Sequence, residues 1–483
     1  MMIHPDHRAN GTLLRLIAAL LTLLAAIGIL LLLSPRALAG QAQPAPAWTP
    51  ALDSLVNAEL ARTRTPGAQI AVVIDGKLAL SKGYGLADLE TGRAVTDRTL
   101  FRVGSVTKVV TGSLVAQLMA EGKLDPQAPI SKYVTELAGR LVGTVTAQQL
   151  LTHNAGWLDN AVPYGRMGEG ALGEVMREVG DTLFFTEPGR VLSYSNPGYS
   201  MAGYLAERAG GARFATQVDL KILRPLGMPR ATFRPLEALT HDFSQGHIAQ
   251  GTNPPVVVRP FTENTAQWAA GFLMTSAGEL ANLAIALMDG GMFDGKRVLA
   301  ADAVSRVTTG HVPTPAEPGA AYGYGLVITK SGADRVWRHG GSINGFDASL
   351  TMFPDRKLAV LIFDNRSGAP LQGIVDLVAQ RAAGIAPAVT MTPPVEREAN
   401  AAERAQLVGS YKMGPTTVEL REVSGALRLQ QGQAAEAEVR LVGDDRLVVL
   451  TPAGGRAAMT LVRGPDGRVE YLHQGMRSLA RQR

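Results

Sequence analysis

Two stretches of strand-like sequence, far apart in the chain, have to share one sheet. Ala68–Ile74 and Leu78–Tyr84 flank Asp75-Gly76 and predict an antiparallel hairpin. Just before it, Leu52, Leu55, Val56 and Leu60 recur at helical spacing until Pro66-Gly67 stops the helix. Strand character returns only from Tyr322, at Tyr324–Thr329, Arg335–His339, Ala348–Phe353 and Leu358–Phe363, with turns at Ser331-Gly332 and Pro354-Asp355. Leu371–Ala382 then reads as a closing helix. Between the blocks, from about 123 to 320, the pattern is mostly helix and long loop, with Met274–Met288 the clearest helix. The implied class is α/β: an antiparallel sheet flanked by helices, carrying a mostly helical insert.

The pattern changes again further on. Gly384–Ala402 carries Pro387, Pro393 and Pro394 and reads as a linker over 386–402. Beyond it, Val418/Leu420, Leu427/Leu429, Val439/Leu441, Leu447/Val449, Met459/Leu461 and Val469/Tyr471 alternate at period two between glycine-containing turns. Short strands at that spacing predict a small all-β barrel or sandwich over 403–483. The expected organisation is a leader over 1–39, a main domain over 48–385, the linker, and the β domain.

A chain that is 46% apolar and 18% charged can bury a sizeable core and is not broadly disordered. Its net charge is +5, and the first 39 residues carry three arginines against one aspartate, which leaves +3 without them. That excess is too small and too evenly spread to imply nucleic acid. The absence of cysteine excludes disulfides, thiolate metal sites and a cysteine nucleophile. His4, His7, Arg8 and Arg15 precede an apolar run from Leu16 to Leu33, followed by Ala37-Leu38-Ala39. Charged flank, apolar stretch and A-x-A site describe a secretory signal peptide. The 16–33 run is also long enough to serve as a membrane tether. Either form implies an exported protein, periplasmic or extracellular.

The chemistry concentrates in Ser105-Val106-Thr107-Lys108, at the start of an apolar helix that ends near Gly122. Residues i and i+3 share a helix face, which sets an amine beside a hydroxyl. A serine hydroxyl is a weak nucleophile until a neighbour takes its proton. Val106, Val109, Val110 and Leu114 imply that the helix is buried, and burial favours the neutral, proton-accepting form of Lys108. Two further phrases accompany it, Tyr194-Ser195-Asn196 in a loop rich in Pro and Gly, and His339-Gly340-Gly341-Ser342 at the end of a strand.

In these motifs and their order the chain resembles the serine β-lactamase and penicillin-recognising family, on the branch of class C β-lactamases, D-alanyl-D-alanine carboxypeptidases and related esterases. Phe101-Arg102-Val103-Gly104, Leu150-Leu151-Thr152-His153-Asn154-Ala155-Gly156 and Tyr322-Gly323-Tyr324-Gly325-Leu326 add to the likeness. It spans about residues 50–385. The C-terminal β domain is similar to the lipocalin-like domain attached to some members.

The resemblance implies Ser105 as nucleophile, Lys108 as its proton acceptor and Tyr194 as base or proton shuttle. It makes Asn196 an orienting or substrate-binding residue, with His339, Gly340 and Gly341 on the substrate side. The backbone N–H groups of Ser105 and Ser342 become the oxyanion hole. His339 departs from the lysine that class C members carry, although esterase and peptidase relatives show histidine there. Lys330-Ser331-Gly332 also fits the lysine form, but it falls at a hairpin tip, whereas His339 precedes Gly345-Phe346. A neutral imidazole gives an anionic substrate no fixed cation, and His153 reads as structural.

The function implied is a serine hydrolase that forms an acyl-enzyme with a small amide, peptide or ester, without metal or cofactor. The partner is a small molecule or short peptide. The alternative is a non-catalytic receptor for cell-wall fragments that uses the β domain to bind partners. Scattered histidines without H-x-H-x-D or H-E-x-x-H argue against a metallohydrolase, and the missing G-x-S-x-G against an α/β-hydrolase.

Overall fold

Asp75 and Gly76 both adopt positive φ, 52° and 73°, and close the turn that the sequence predicts. They join β1 (Gly67–Ile74) to β2 (Lys77–Asp88). The structure, a computed structural model, describes residues 45–160, 162–251, 253–386, 395–451 and 454–482. The expected leader over 1–39, its 16–33 tether and the middle of the linker therefore lie outside the described residues. Among those described, no helix is long and apolar enough to cross a membrane.

The early hairpin meets the late strands directly. β1 runs antiparallel to Leu358–Asp364, with Ala68 opposite Asp364 and Val73 opposite Ala359. The complete sheet has nine strands, the central ones being Val327–Ser331, Asp334–Ile343, Phe346–Phe353, Leu358–Asp364, β1 and β2 in spatial order. Alternation along β1 divides the core. Ala68, Ile70 and Val72 pack with Leu52 and Val56 of α1 (Thr49–Thr63) and with Ile374 and Val378 of the closing helix (Ile374–Ala383). Ala71 and Val73 face the larger core formed with the helical insert. β1 is thus buried on both faces, as a central strand between helical layers must be.

Some boundaries differ from the sequence expectation, each for a local reason. The Met274–Met288 helix begins at Ala277, because Met274–Thr275 pairs with Phe101–Arg102 and the Ser276 hydroxyl caps the helix through the Glu279 N–H. The strand expected at Arg335–His339 continues to Ile343, and its glycines stay extended against the turn that carries Ser105. The strand expected from Tyr324 starts at Val327, since Gly325, at φ 89°, turns the chain onto the carbonyl of Lys108.

The C-terminal region is a closed eight-stranded antiparallel barrel running from Gly409–Met413 to Arg477–Arg481. Its core holds Val418, Leu420, Leu429, Val439, Leu447 and Leu461, as the period-two pattern predicts. Val469 belongs to that core but Tyr471 does not. An irregularity opposite Val462/Arg463 lets Leu472 join Val469 inside, while the Tyr471 hydroxyl meets Thr186 at 2.7 Å. Glu396–Arg397, within the expected linker, pairs with Leu441–Val442 of the barrel.

Candidate active site

Ser105 occupies a single 3-10 turn, Gly104–Val106, that feeds α2 (Thr107–Ala120). Gly104 has φ 50°, and a Cβ there would stand 2.6 Å from the Ser342 nitrogen. A Cβ on Gly341 would lie 2.1 Å from the Val103 carbonyl and 2.8 Å from the Ser105 nitrogen. Two glycines without side chains therefore allow the strand and the turn to touch, bringing the N–H groups of Ser105 and Ser342 together. Gly340, on the same strand, is exposed, and a Cβ there would meet nothing nearer than 3.9 Å.

Lys108 follows one turn after Ser105 and its side chain is fully buried. Its Nζ stands 3.3 Å from Ser105 Oγ, 2.7 Å from Asn196 Oδ1 and 2.6 Å from the Ala270 carbonyl oxygen. Burial holds the ammonium well below its usual pKa; the Asp159 carboxylate opposes that shift and the Arg477 guanidinium adds to it. The amine also lies 4.6 Å from the centroid of the Tyr194 ring.

Tyr194 and Asn196 arrive on an extended segment that ends in α3 (Asn196–Gly210). Ser195 between them, rather than Asn196, is the helix cap, accepting from the Gly198 N–H at 3.2 Å. Its own N–H donates to His153 Nδ1 at 3.1 Å. The His153 ring packs against Tyr194, Tyr199 and Tyr322, with centroids 4.2–5.0 Å away. Tyr194 is buried, which pushes its phenol well above the usual tyrosine range despite a hydrogen bond with Ser105. Ser105, Lys108, Tyr194 and Asn196 are thus brought to one place.

His339 lines the same cleft but is 8% exposed, with both ring nitrogens engaged. Nδ1 faces the Gly340 carbonyl oxygen, which can only accept, so it carries the proton. Nε2 then accepts from the Tyr322 hydroxyl at 2.9 Å. Burial, with Lys108 nearby, lowers the imidazole pKa to about 3. Arg338 also reaches the cleft, where it is paired with Glu317. Lys330, the rival of His339, lies at the distal end of its hairpin opposite Arg335 and is not among the cleft-lining residues.

The cleft is open and holds about 1180 Å3. Its wall includes residues that sequence reasoning missed: Asp159, Tyr322, Met476 and Arg477. Asp159 accepts from both the backbone and side-chain nitrogens of Asn196, at 3.1 and 2.9 Å. Met476 and Arg477 come from the last hairpin of the barrel. Nothing local in the sequence marks where that hairpin docks. No cluster of three or more His, Cys, Asp or Glu able to hold a metal is present among the described residues.

Comparison with known proteins identifies the family of the fold. Residues 52–384 match the family model described as Beta-lactamase. Penicillin-binding protein 4 of Amycolatopsis lactamdurans is 27% identical over 359 residues, covering 72% of this chain and 93% of its own length. Protein flp of Staphylococcus aureus (strain MW2) is 28% identical over 240 residues; the match spans 47% of either chain, so this chain covers about half of that relative. The crystal structure of SurE superposes with a TM-score of 0.74 at 28% identity, covering 90% of this chain and 99% of that one. The structure of SurE with D-Leu gives a TM-score of 0.71 at 30% identity, with the same coverage.

Proposed function

The chain belongs to the beta-lactamase family, and we propose that it is a serine hydrolase acting through an acyl-enzyme on Ser105, with a small amide, short peptide or ester as substrate. The observation that carries this reading is the three-way coordination of the Lys108 amine. Asn196 Oδ1 and the Ala270 carbonyl can only accept, so they take two N–H bonds. In the neutral amine the remaining position is a lone pair, and it faces the Ser105 hydroxyl. Burial favours that neutral form.

In the proposed cycle, Ser105 Oγ attacks the substrate carbonyl carbon as its proton passes to Lys108. The carbonyl oxygen becomes an oxyanion between the N–H groups of Ser105 and Ser342, an interaction worth about 3–4 kcal/mol per donor in related sites. The Tyr194 phenol, kept protonated by burial, gives its proton to the departing amine or alkoxide and recovers one from Lys108. Water then attacks the acyl-enzyme, giving one proton to Lys108; the bond from the carbonyl carbon to Ser105 Oγ breaks, the acid departs, and Lys108 returns that proton to Ser105 Oγ. His339 orients the wall through Tyr322 and carries no charge.

The cleft supports one substrate class over another. His339 is neutral there, Arg338 is paired with Glu317, and Arg477 with Asp159. The carboxylate of a penicillin or cephalosporin finds no uncommitted partner among these three. We therefore infer weak activity on those drugs and better activity on substrates without a free carboxylate, namely small esters and D-amino-acid peptides with a blocked C-terminus. The likeness to SurE, crystallised with D-Leu, favours the D-amino-acid class. The leader-like segment supports an exported enzyme.

The test is a fluorophosphonate probe together with a panel of p-nitrophenyl butyrate, a D-alanyl dipeptide amide and a chromogenic cephalosporin. Labelling on the peptide that contains Ser105, lost in Ser105→Ala, is the expected result. Retained labelling of Ser105→Ala would sink the nucleophile assignment, and cephalosporin turnover near the diffusion limit would sink the substrate class.

A further inference from the structure

The hairpin between Val469–Gln474 and Arg477–Arg481 leaves the barrel and enters the wall of the cleft. It is fixed there on several sides. The Tyr194 N–H donates to the Met476 carbonyl at 2.7 Å, and the Ser478 hydroxyl donates to the Leu192 carbonyl at 2.9 Å. The Ser478 N–H donates to Ser193 Oγ at 3.2 Å. Met476 packs against the small cluster of Leu192, Ala320, Tyr322 and Val327. The barrel thereby grips the very segment that carries Tyr194.

Arg477 extends from this grip to Asp159. Its Nε donates to Asp159 Oδ2 at 2.9 Å and Nη2 donates to the same oxygen, while the guanidinium lies 5.3 Å from the Tyr194 ring centroid. The Asp159 side chain is only 6% exposed, and its other oxygen takes both nitrogens of Asn196. This arrangement decides which end of the Asn196 amide faces Lys108. With Nδ2 held by the carboxylate, Oδ1 must point at the amine; the reverse would oppose oxygen to carboxylate and N–H to N–H.

We propose that Arg477 is a positioning residue for the lysine of the site: through Asp159 and Asn196 it holds Lys108 toward Ser105, which makes the C-terminal barrel a working part of the active site. The inference rests on the serine-hydrolase reading above and goes beyond it by assigning a role to a second domain. Arg477 holds a nearly buried carboxylate in place through two N–H bonds to one of its oxygens. Without that partner the carboxylate loses its fixed orientation, and the amide and amine beyond it lose theirs.

Besides Asp159 and Arg477, the groups around Lys108 are the Tyr194 and Tyr199 rings and the imidazoles of His153 and His339, both depressed by burial and so neutral. The two charged partners therefore act on the amine in opposite senses. The guanidinium disfavours the ammonium and the carboxylate favours it.

The experiment compares the full chain with its Arg477→Gln, Arg477→Lys and Asp159→Asn variants. The rates of fluorophosphonate labelling at Ser105 and of p-nitrophenyl butyrate hydrolysis are followed against pH, a neutral ester being chosen because it carries no carboxylate. Arg477→Gln should lower kcat and the labelling rate about tenfold or more, with KM within about twofold, as misplacement of a catalytic group does. Its acid limb should move to higher pH, that of Asp159→Asn to lower pH, and Arg477→Lys should recover part of the rate. Unmoved limbs, or a loss confined to KM or to carboxylate-bearing substrates, would overturn the proposal. Should Arg477→Gln fail to fold, the downward shift in Asp159→Asn and the near-native limb of Arg477→Lys decide the same question. A wild-type protein that is neither labelled nor active overturns the hydrolase reading itself; an active wild type with indifferent variants overturns only the role of Arg477.

Discussion

The amine of Lys108 stands 2.6 Å from the carbonyl oxygen of Ala270, closer than to the Ser105 hydroxyl at 3.3 Å. A backbone carbonyl cannot rotate away or change its protonation, so this contact fixes one N–H whatever the substrate does. It belongs to a segment packed on the turn that carries Ser105, since a Cβ on the neighbouring Gly271 would lie 3.6 Å from Gly104. The lysine is therefore held by scaffold on one side and by Asn196 on the other.

From this geometry, Lys108→Arg is expected to abolish acylation although it keeps the charge. A guanidinium does not deprotonate at accessible pH and offers donors only. The loss should be about a thousandfold or more in kcat/KM on p-nitrophenyl butyrate, the range of general-base removal. In the wild type, kcat/KM should rise through a pKa below that of a free lysine, because burial depresses the ammonium. An arginine variant with near-native rate would remove Lys108 from the role of proton acceptor.

Tyr194→Phe separates a shuttle from a base. Burial keeps the phenol protonated, so its use is to donate to a leaving group. A p-nitrophenolate leaves without help, whereas the amine of a peptide does not. The variant should lose about a hundredfold on a D-alanyl dipeptide amide but less than about tenfold on the p-nitrophenyl ester. Equal losses on both would make Tyr194 the base.

Ser105 and Lys108 were legible because a helix turn brings i and i+3 together whatever the rest of the chain does. The convergence of Tyr194, Asn196 and the Ser342 N–H on Ser105 was legible only through resemblance, since it depends on the sheet. The pairing of Arg477 with Asp159 was not legible: the two are 318 residues apart and nothing near either names the other. The sheet and barrel could be read from alternation, but the Val469/Tyr471 pair failed because an irregular register breaks period two there. His339 was expected on the substrate side as a binding or orienting residue; it lines the cleft with its nitrogens engaged by Tyr322 and Gly340.

Gly341→Ala should damage catalysis more than binding. The added methyl would stand 2.1 Å from the Val103 carbonyl and 2.8 Å from the Ser105 nitrogen, both backbone atoms. The strand must retreat from the turn, which moves the Ser342 N–H away from that of Ser105. Loss of one oxyanion donor costs about a hundred- to a thousandfold in kcat, so a fall of that order with little change in KM is expected on the ester. A variant with unchanged kcat would place the oxyanion hole elsewhere.

Stability should fall on mild acidification because several imidazoles are buried and neutral. Burial lowers His339 to about 3 and His473 to about 4, and holds His153 well below its usual value. In the unfolded chain these rings take up protons near pH ~6.5. Between that value and the folded ones, the unfolded state binds more protons, so stability rises with pH across the window and is lost as pH drops through it. Asp364, buried beside Asp347, is displaced upward and acts in the opposite sense, so the wild-type slope alone is not diagnostic. The comparison with His339→Gln is diagnostic, because the amide can still accept from Tyr322 and donate to Gly340 without titrating. Its melting temperature should depend less steeply on pH between about 6.5 and about 4 than that of the wild type. Parallel slopes in calorimetry would mean that His339 is charged in the folded protein.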